Sequence, residues 1–319
     1  MNENTTRRSF LKTSGTVGLG LGLLSRGGPL LAADELLTKT HGAPHAEALG
    51  WHLGCTSYCF QLFTLFEAIE KTASLGLKYI DIYTGQKLGG KFGDVIVQPG
   101  LAKECEAALK KKLADHGVAL ANYACMEYPK DEAGWRKFFT WLKELGIETF
   151  VTEPAEQDVP MIDKLCNEYK MRVAIHDHPK PSHYWSPDTV ARVIKNCSHR
   201  VGACADTGHW KRSGFDPVEC MKKLQGRIIT FHFKDVKKEG NGYHDVPWGT
   251  GDCNVRGMME EAWRQRFQGV FSFEYEYHWE NSLPELANSV EYFDKVAAEI
   301  GSQAVPADRR RRGRRRTQS

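Results

Sequence analysis

Five stretches of this chain place carboxylates and imidazoles close behind apolar runs. Phe150-Val151 leads to Glu153-Pro154, with Glu156 just beyond. Val173-Ala174-Ile175 leads to His176-Asp177-His178. A third stretch carries Asp206-Thr207-Gly208-His209-Trp210. A fourth carries His232-Phe233-Lys234-Asp235 after Ile228-Ile229, and a fifth Glu274-Tyr275-Glu276 after Val270-Phe271. A charged side chain beside a buried run is costly unless it faces a solvated opening or a metal. Carboxylates mixed with imidazoles, without clustered thiolates, suit one divalent ion such as Mn2+, Mg2+, Co2+ or Zn2+. A lone histidine or aspartate in such a place is ordinarily structural. Several in succession point to a centre.

The elements that must carry these groups recur from residue 51 onward as a β-rich run, a polar link and an amphipathic helical run. Strands are expected at His52–Phe60, Tyr79–Thr84, Ala119–Met126, Glu148–Pro154, Arg172–His178, Val201–His209, Arg227–Val236 and Val270–Tyr277. Helices are expected at Leu62–Leu75, Leu101–His116, Glu132–Leu145, Val159–Tyr169, Pro187–Asn196, Asp216–Leu224, Val255–Phe267 and Pro284–Ile300. Strict alternation implies a parallel α/β sheet. Eight units in roughly 250 residues imply a closed (β/α)8 TIM barrel in a single domain. A doubly wound open sheet is the alternative, but no Gly-x-Gly-x-x-Gly follows the first strand. Gly76, Gly117 and Gly146 fall where helices stop.

The active site of such a barrel lies at the C-terminal strand ends, where the five stretches fall. Strand alternation puts His176 with His178, His232 with Lys234, and Glu274 with Glu276 on shared faces, so that both members of a pair could point inward at different heights. Asp177 and Asp235 point away and read as structural. One long loop, Lys237–Cys253, carries His244, Asp245, Trp248, Gly249 and Gly251. Loops of that length are often functional.

Composition bounds the partners. The formal charge of +3 is carried by the ends, because residues 34–308 hold 32 Lys and Arg against 39 Asp and Glu, a net −7. An acidic body has no electrostatic reason to bind nucleic acid broadly. Seven arginines in Arg309–Arg316 read as a solvated, disordered basic tail over residues 301–319. At the other end, Thr6-Arg7-Arg8-Ser9-Phe10-Leu11-Lys12, an apolar Val17–Leu24 and Ala32-Ala33 follow the layout of a twin-arginine signal peptide. Residues 1–33 are therefore read as the signal, 34–50 as a linker and 51–300 as the barrel, exported to the periplasm. No run of eighteen apolar residues follows, so stable membrane insertion after export is not expected. The nine cysteines form neither a zinc-ribbon pattern nor a disulfide framework. Cys125 and Cys204 fall in expected strands as small hydrophobes.

Residues 51–300 resemble the sugar phosphate isomerase/epimerase superfamily, the xylose isomerase-like barrels, which also include endonuclease IV-type enzymes. The resemblance rests on Asp206-Thr-Gly-His209, Phe231-His232-Phe-Lys234-Asp235, Phe273-Glu274 and the segment His244-Asp-Val-Pro-Trp-Gly249-Thr-Gly251. It implies that Asp206, His232 and Glu274 ligate a metal and that His209 and Lys234 face the substrate. In the nuclease branch His209 would be an extra ligand. Many relatives carry a ligand glutamate on the fifth strand, where this chain has His176. The expected ligand set is thus Glu153, Asp206, His232 and Glu274, with His176 close enough to ligate or to bind substrate.

The function so implied is a metal-dependent isomerase or epimerase of a sugar or keto-sugar. Glu153 and Glu274 are expected to move the proton next to a carbonyl, and His209 and Lys234 to stabilise charge on oxygen. The substrate side is assigned His176, His178, His209, Lys234, His244 and Trp248. Aromatic residues Tyr58, Phe60, Tyr83, Tyr184, Trp185, Trp210, Trp248 and Trp279 are candidates to line it or to pack in the core. No Gly-rich phosphate cradle is present, which favours free sugars, keto-sugars or glycosides. Three rivals stand beside this reading: a lyase or dehydratase starting from the same proton abstraction, a metal nuclease using His209 and His244-Asp245, and a non-catalytic sugar-binding barrel. A homo-oligomer is admitted without an interface signature.

Overall fold

The computed structural model describes residues 40–124 and 128–303. The expected signal peptide, Cys125, Met126 and the arginine tail lie outside the described residues. The expected linker is partly helical: α1 (Pro44–Ala48) is fixed by Asp294, which accepts from the His45 and Ala46 amides at 2.7 and 3.1 Å.

Eight parallel strands close into a barrel. They are β1 (Trp51–Thr56), β2 (Tyr79–Tyr83), β3 (Ala119–Ala124), β4 (Thr149–Thr152), β5 (Arg172–Ile175), β6 (Val201–Asp206), β7 (Ile228–Phe233) and, after a hairpin, β10 (Gly269–Phe273). Round the barrel the order is β1-β10-β7-β6-β5-β4-β3-β2. Every expected strand is found; apart from β3, described to Ala124, each ends one to four residues sooner than expected, so Asp206 and His232 stand on the strands while Glu153, His176, His178, Lys234, Glu274 and Glu276 stand just past them. The helices α2 (Leu65–Ser74), α3 (Lys103–His116), α4 (Glu132–Leu145), α5 (Val159–Tyr169), α6 (Pro187–Val193), α8 (Pro217–Lys223), α9 (Val255–Gln265) and α10 (Leu283–Gly301) fill the expected gaps. Among the described residues no helix is long and apolar enough to cross a membrane.

Alternation sorts the strands into two cores. Phe150, Val173, Ile175, Phe231, Phe233, Phe271 and Phe273 are fully buried in the main apolar cluster shared with the helices. Ala124, Val151, Ala174 and Cys204 form a separate, smaller cluster. These small side chains make a floor and leave the space above it open.

Local chemistry sets the element ends. Thr64 and Glu67 form a reciprocal capping box at the start of α2. Asp131 caps α4, accepting from Gly134 N at 2.7 Å. Gly117 and Gly146 end α3 and α4 in the left-handed region, at φ 64° and 84°.

At the barrel mouth, a hairpin and a short helix were not expected from the sequence. The long loop folds into an antiparallel hairpin, β8 (Val236–Glu239) and β9 (Gly242–Asp245). A short helix, α7 (Thr207–Arg212), follows β6 at once. Both lie at the barrel mouth and bring residues to it.

Candidate metal centre and substrate cavity

Barrel register decides which side chains meet. β6 and β7 pair Asp206 with His232. β4 and β5 pair Thr152 with Ile175, so Glu153 comes level with His176. β10 and β7 pair Phe273 with Phe233, so Glu274 comes level with Lys234.

Asp206 caps α7 through Oδ1, which accepts from His209 N at 2.8 Å. Its other oxygen, Oδ2, is left for the mouth. It lies 3.6 Å from His176 Nε2 and 3.5 Å from His209 Nε2. His232 Nδ1 lies 3.1 Å from His176 Nε2 and 3.0 Å from Glu274 Oε2. His176 Nε2 lies 3.9 Å from Glu274 Oε2. Two imidazoles and two carboxylates thus aim at one small region.

These separations fit an ion. Bonds of about 2.0–2.2 Å hold ligand atoms roughly 3–4 Å apart. A mixed N and O donor set suits the borderline divalent metals. The ring of His232 is oriented as a ligating histidine's would be. Its Nε2 is buried without a hydrogen-bond partner and stands 3.7 Å from Asp81 Oδ2. Asp81 is itself held by Asn122, which donates through N at 3.1 Å and Nδ2 at 2.9 Å. A carboxylate behind a ligating imidazole is the usual outer support of a metal centre.

Glu153 does not join this group, contrary to the expected ligand set. The ring of His176 stands between, with Nδ1 3.7 Å from Glu153 Oε1 and Nε2 towards Asp206. Glu153 instead bonds His178 Nδ1, accepts from His178 N at 3.2 Å and from Ser182 Oγ at 2.7 Å. His176, and not Glu153, is therefore the side chain that faces Asp206 and Glu274, while Glu153 groups with His176 and His178. Asp177 and Asp235 are structural, as expected. Asp177 accepts from Asp206 N at 2.8 Å, and Asp235 gathers the amides of Gly249, Gly251 and Cys253 at 2.9, 2.9 and 3.0 Å.

Lys234 also departs from expectation. It is fully buried below the mouth, not turned to a substrate. Its ammonium lies 2.5 Å from Asp206 Oδ2, 2.5 Å from Glu274 Oε2 and 3.1 Å from Glu276 Oε1. Burial opposes its charge, but the three carboxylates outweigh that and raise its pKa well above the ordinary lysine value. Burial likewise works against ionised Glu274 and Asp206. The His232 and Lys234 charges lower the first, and His209 together with the Lys234 ammonium lowers the second. His209 is pushed well below the usual histidine value, chiefly by burial.

Above these groups opens a cavity of about 580 Å³. His176, His178, His209, His232, Glu274 and Glu276 line it, with Tyr58 and Tyr83 on the rim. No lysine or arginine does so among the described residues. His244 and Trp248 do not reach it. His244 pairs with Glu239 at 3.3 Å on the hairpin, and Trp248 is buried, stacked on Phe273 at 3.7 Å between centroids. Phe60, Tyr184 and Trp210 are core residues, and Trp185 stacks on Phe215.

Sequence reasoning missed Asp81 and Arg212. Asp81 gave a signal, an inward-facing charge inside the apolar run Tyr-Ile-Asp-Ile-Tyr. Arg212 gave none, because its partners are brought to it by α7 and the hairpin.

The comparisons with known proteins agree with this architecture. The family model for a xylose isomerase-like TIM barrel matches residues 155–296. An uncharacterized protein from Parabacteroides distasonis ATCC 8503 is 32% identical, covering 77% of this chain and 99% of that one, with a TM-score of 0.64. A xylose isomerase-like TIM barrel protein from Mycobacterium smegmatis, solved in complex with magnesium, is 16% identical. It covers 78% of this chain and 97% of that one, with a TM-score of 0.61. Inosose dehydratase of Mesomycoplasma hyopneumoniae strain 7448 is 24% identical over 273 residues, covering 72% of this chain and 85% of that protein. From the closed barrel, its matched C-terminal half and a relative of this identity along nearly its whole length, the chain belongs to the xylose isomerase-like TIM barrel family.

Proposed function

We propose that this protein is a divalent-metal-dependent enzyme that moves the proton beside a carbonyl of an unphosphorylated sugar or keto-sugar, as an isomerase or epimerase. The observation that carries the reading is the set of 3.0–3.9 Å separations that links His232, His176, Asp206 and Glu274 beneath a cavity lined by further acid–base groups. These four would hold the ion. When bound, it would supply Lewis-acid polarisation of the carbonyl.

The chain's own groups supply the rest. Glu153 takes the Nδ1 side of His178, which leaves the other nitrogen of that ring for the cavity. A carboxylate-backed imidazole is a competent general base. Glu274 and Glu276 stand on the far side of β6 and β7 from His178, so a proton taken on one side has an acceptor and donor on the other. Tyr58 and Tyr83 offer ring faces and hydroxyls suited to a polyol. A cavity with carboxylates and no free cation repels phosphate, which favours neutral substrates.

A second reading has its own support. Loss of a hydroxyl after the same proton abstraction would make the protein a dehydratase, and inosose dehydratase is among its relatives. Export by a twin-arginine signal is proposed on the sequence alone.

The test is proton exchange. Mn2+-loaded protein is incubated in D2O with a panel of unphosphorylated keto-sugars and inososes, followed by NMR and mass spectrometry. Deuterium beside the carbonyl with mass otherwise retained supports the isomerase or epimerase. Loss of one water supports the dehydratase. No metal uptake and no exchange on any substrate would sink both.

A further inference from the structure

We propose that Arg212 is a positioning residue that fixes His209 as an Nε2–H donor to the substrate cavity and takes it out of the metal's ligand set. The argument starts from donors and acceptors. Arg212 Nη1 lies 3.1 Å from His209 Nδ1. A guanidinium has only N–H donors, so Nδ1 must be the acceptor. The ring proton then sits on Nε2, 3.5 Å from the buried Asp206 Oδ2, on a ring that itself lines the cavity. A nitrogen that carries a proton has no lone pair for a metal. His209 is grouped by distance with His176, Asp206 and Glu274. Its proton separates it from them in role.

Arg212 is held to this task from its other end. Nη2 donates to Asp245 Oδ1 at 2.5 Å, and Nη1 is 3.9 Å from Glu276 Oε2. Asp245 is buried at the end of β9. Its second oxygen accepts from Glu276 N at 2.6 Å. The hairpin, α7 and the segment after β10 are thus tied through one guanidinium. This arrangement also fills the space between His209 and Asp245. Those two residues, which a nuclease-like site would use for additional ions, share a fixed cation instead.

The assignment rests on the site proposed above and extends it, since a donor at His209 would hold a substrate oxygen. Its test reads the ring proton and not turnover, so the two can fail separately. Full-length protein labelled with 15N-histidine is examined by long-range 1H–15N correlation, with the His209 signals identified by their loss in His209→Gln. Wild type is expected to show Nδ1 bare and Nε2 protonated, and to keep that pattern when Zn2+ is added while His176 and His232 shift. Arg212→Met is expected to move the population several-fold towards the Nδ1–H form, with Arg212→Lys intermediate. A wild-type His209 protonated on Nδ1, or one that loses its Nε2 proton on adding Zn2+, would overturn the proposal. So would an unchanged pattern in Arg212→Met. Should that variant fold poorly, Asp245→Ala frees the guanidinium without touching the histidine and should loosen the same preference.

Discussion

Lys234 donates to Asp206 across 2.5 Å with neither side chain exposed to solvent. The same ammonium reaches Glu274 and Glu276. Lys234 is the built-in countercharge of the centre, and the ion is expected to share that duty. Lys234→Met should therefore destabilise the metal-free protein by about 3–5 kcal/mol, since it strands buried carboxylates. Saturating Mn2+ should recover part of the loss. Thermal unfolding of both proteins with and without Mn2+ checks this, and equal melting temperatures without metal would refute it.

The ligand set makes a sharper division between neighbours. His176→Ala, Asp206→Ala and Glu274→Ala should each lose bound metal on elemental analysis. Glu153→Gln should keep it, because His176 lies between Glu153 and the centre. Its cost should fall on turnover, by about 10²–10⁴-fold, if the His178 base depends on it. Metal loss in Glu153→Gln with retention in His176→Ala would reverse the assignment.

Asp81 should matter to the metal without touching it. It faces the otherwise unpartnered Nε2 of His232. Asp81→Asn is expected to weaken metal binding by about 10–100-fold, the usual effect of losing an outer partner. Calorimetric titration with Zn2+ measures it. Unchanged affinity would mean that the His232 ring is held by packing alone.

Glu156 carries an acid-sensitive clamp. It bonds His183 Nε2 at 2.7 Å and Arg192 at 2.6 Å, pinning the loop that follows His178. Arg192 first, then His183, lowers its pKa to about 2. A depressed carboxyl pKa means that the clamp's contribution is full above the unfolded value near 4.5 and is lost as pH falls through about 2. The protection of the amides in residues 178–186 against hydrogen exchange, taken relative to the unstructured rate at each pH, should thus be high at neutral pH and fall in acid. Glu156→Gln should lower that protection at neutral pH already. An identical exchange rate in the variant would remove the clamp.

Much of this was legible in the chain, for identifiable reasons. Alternating strands and helices report the barrel because each must bury one face. Period-two alternation correctly paired His232 with Lys234 and Glu274 with Glu276 on shared faces. It could not give their heights. Whether Glu153 or His176 reaches Asp206 depends on how neighbouring strands are staggered, which no single segment encodes. Lys234 was misjudged for a related reason: facing inward and facing the cavity are different when the position lies below the rim. His244 and Trp248 were misplaced because the long loop folds back as a hairpin, which turns one outwards and buries the other.

The three amides gathered by Asp235 have a practical consequence. A side chain at Gly251 would start 2.3 Å from Asp235 Oδ1, so the segment has one way to sit. The connection after β7 is consequently anchored at its second half, while its hairpin runs exposed from Lys237 to Gly242 with Gly240 and Asn241 at the tip. That tip offers a place to graft a fluorophore or an affinity peptide beside the mouth while leaving its geometry alone, a handle for watching ligands arrive.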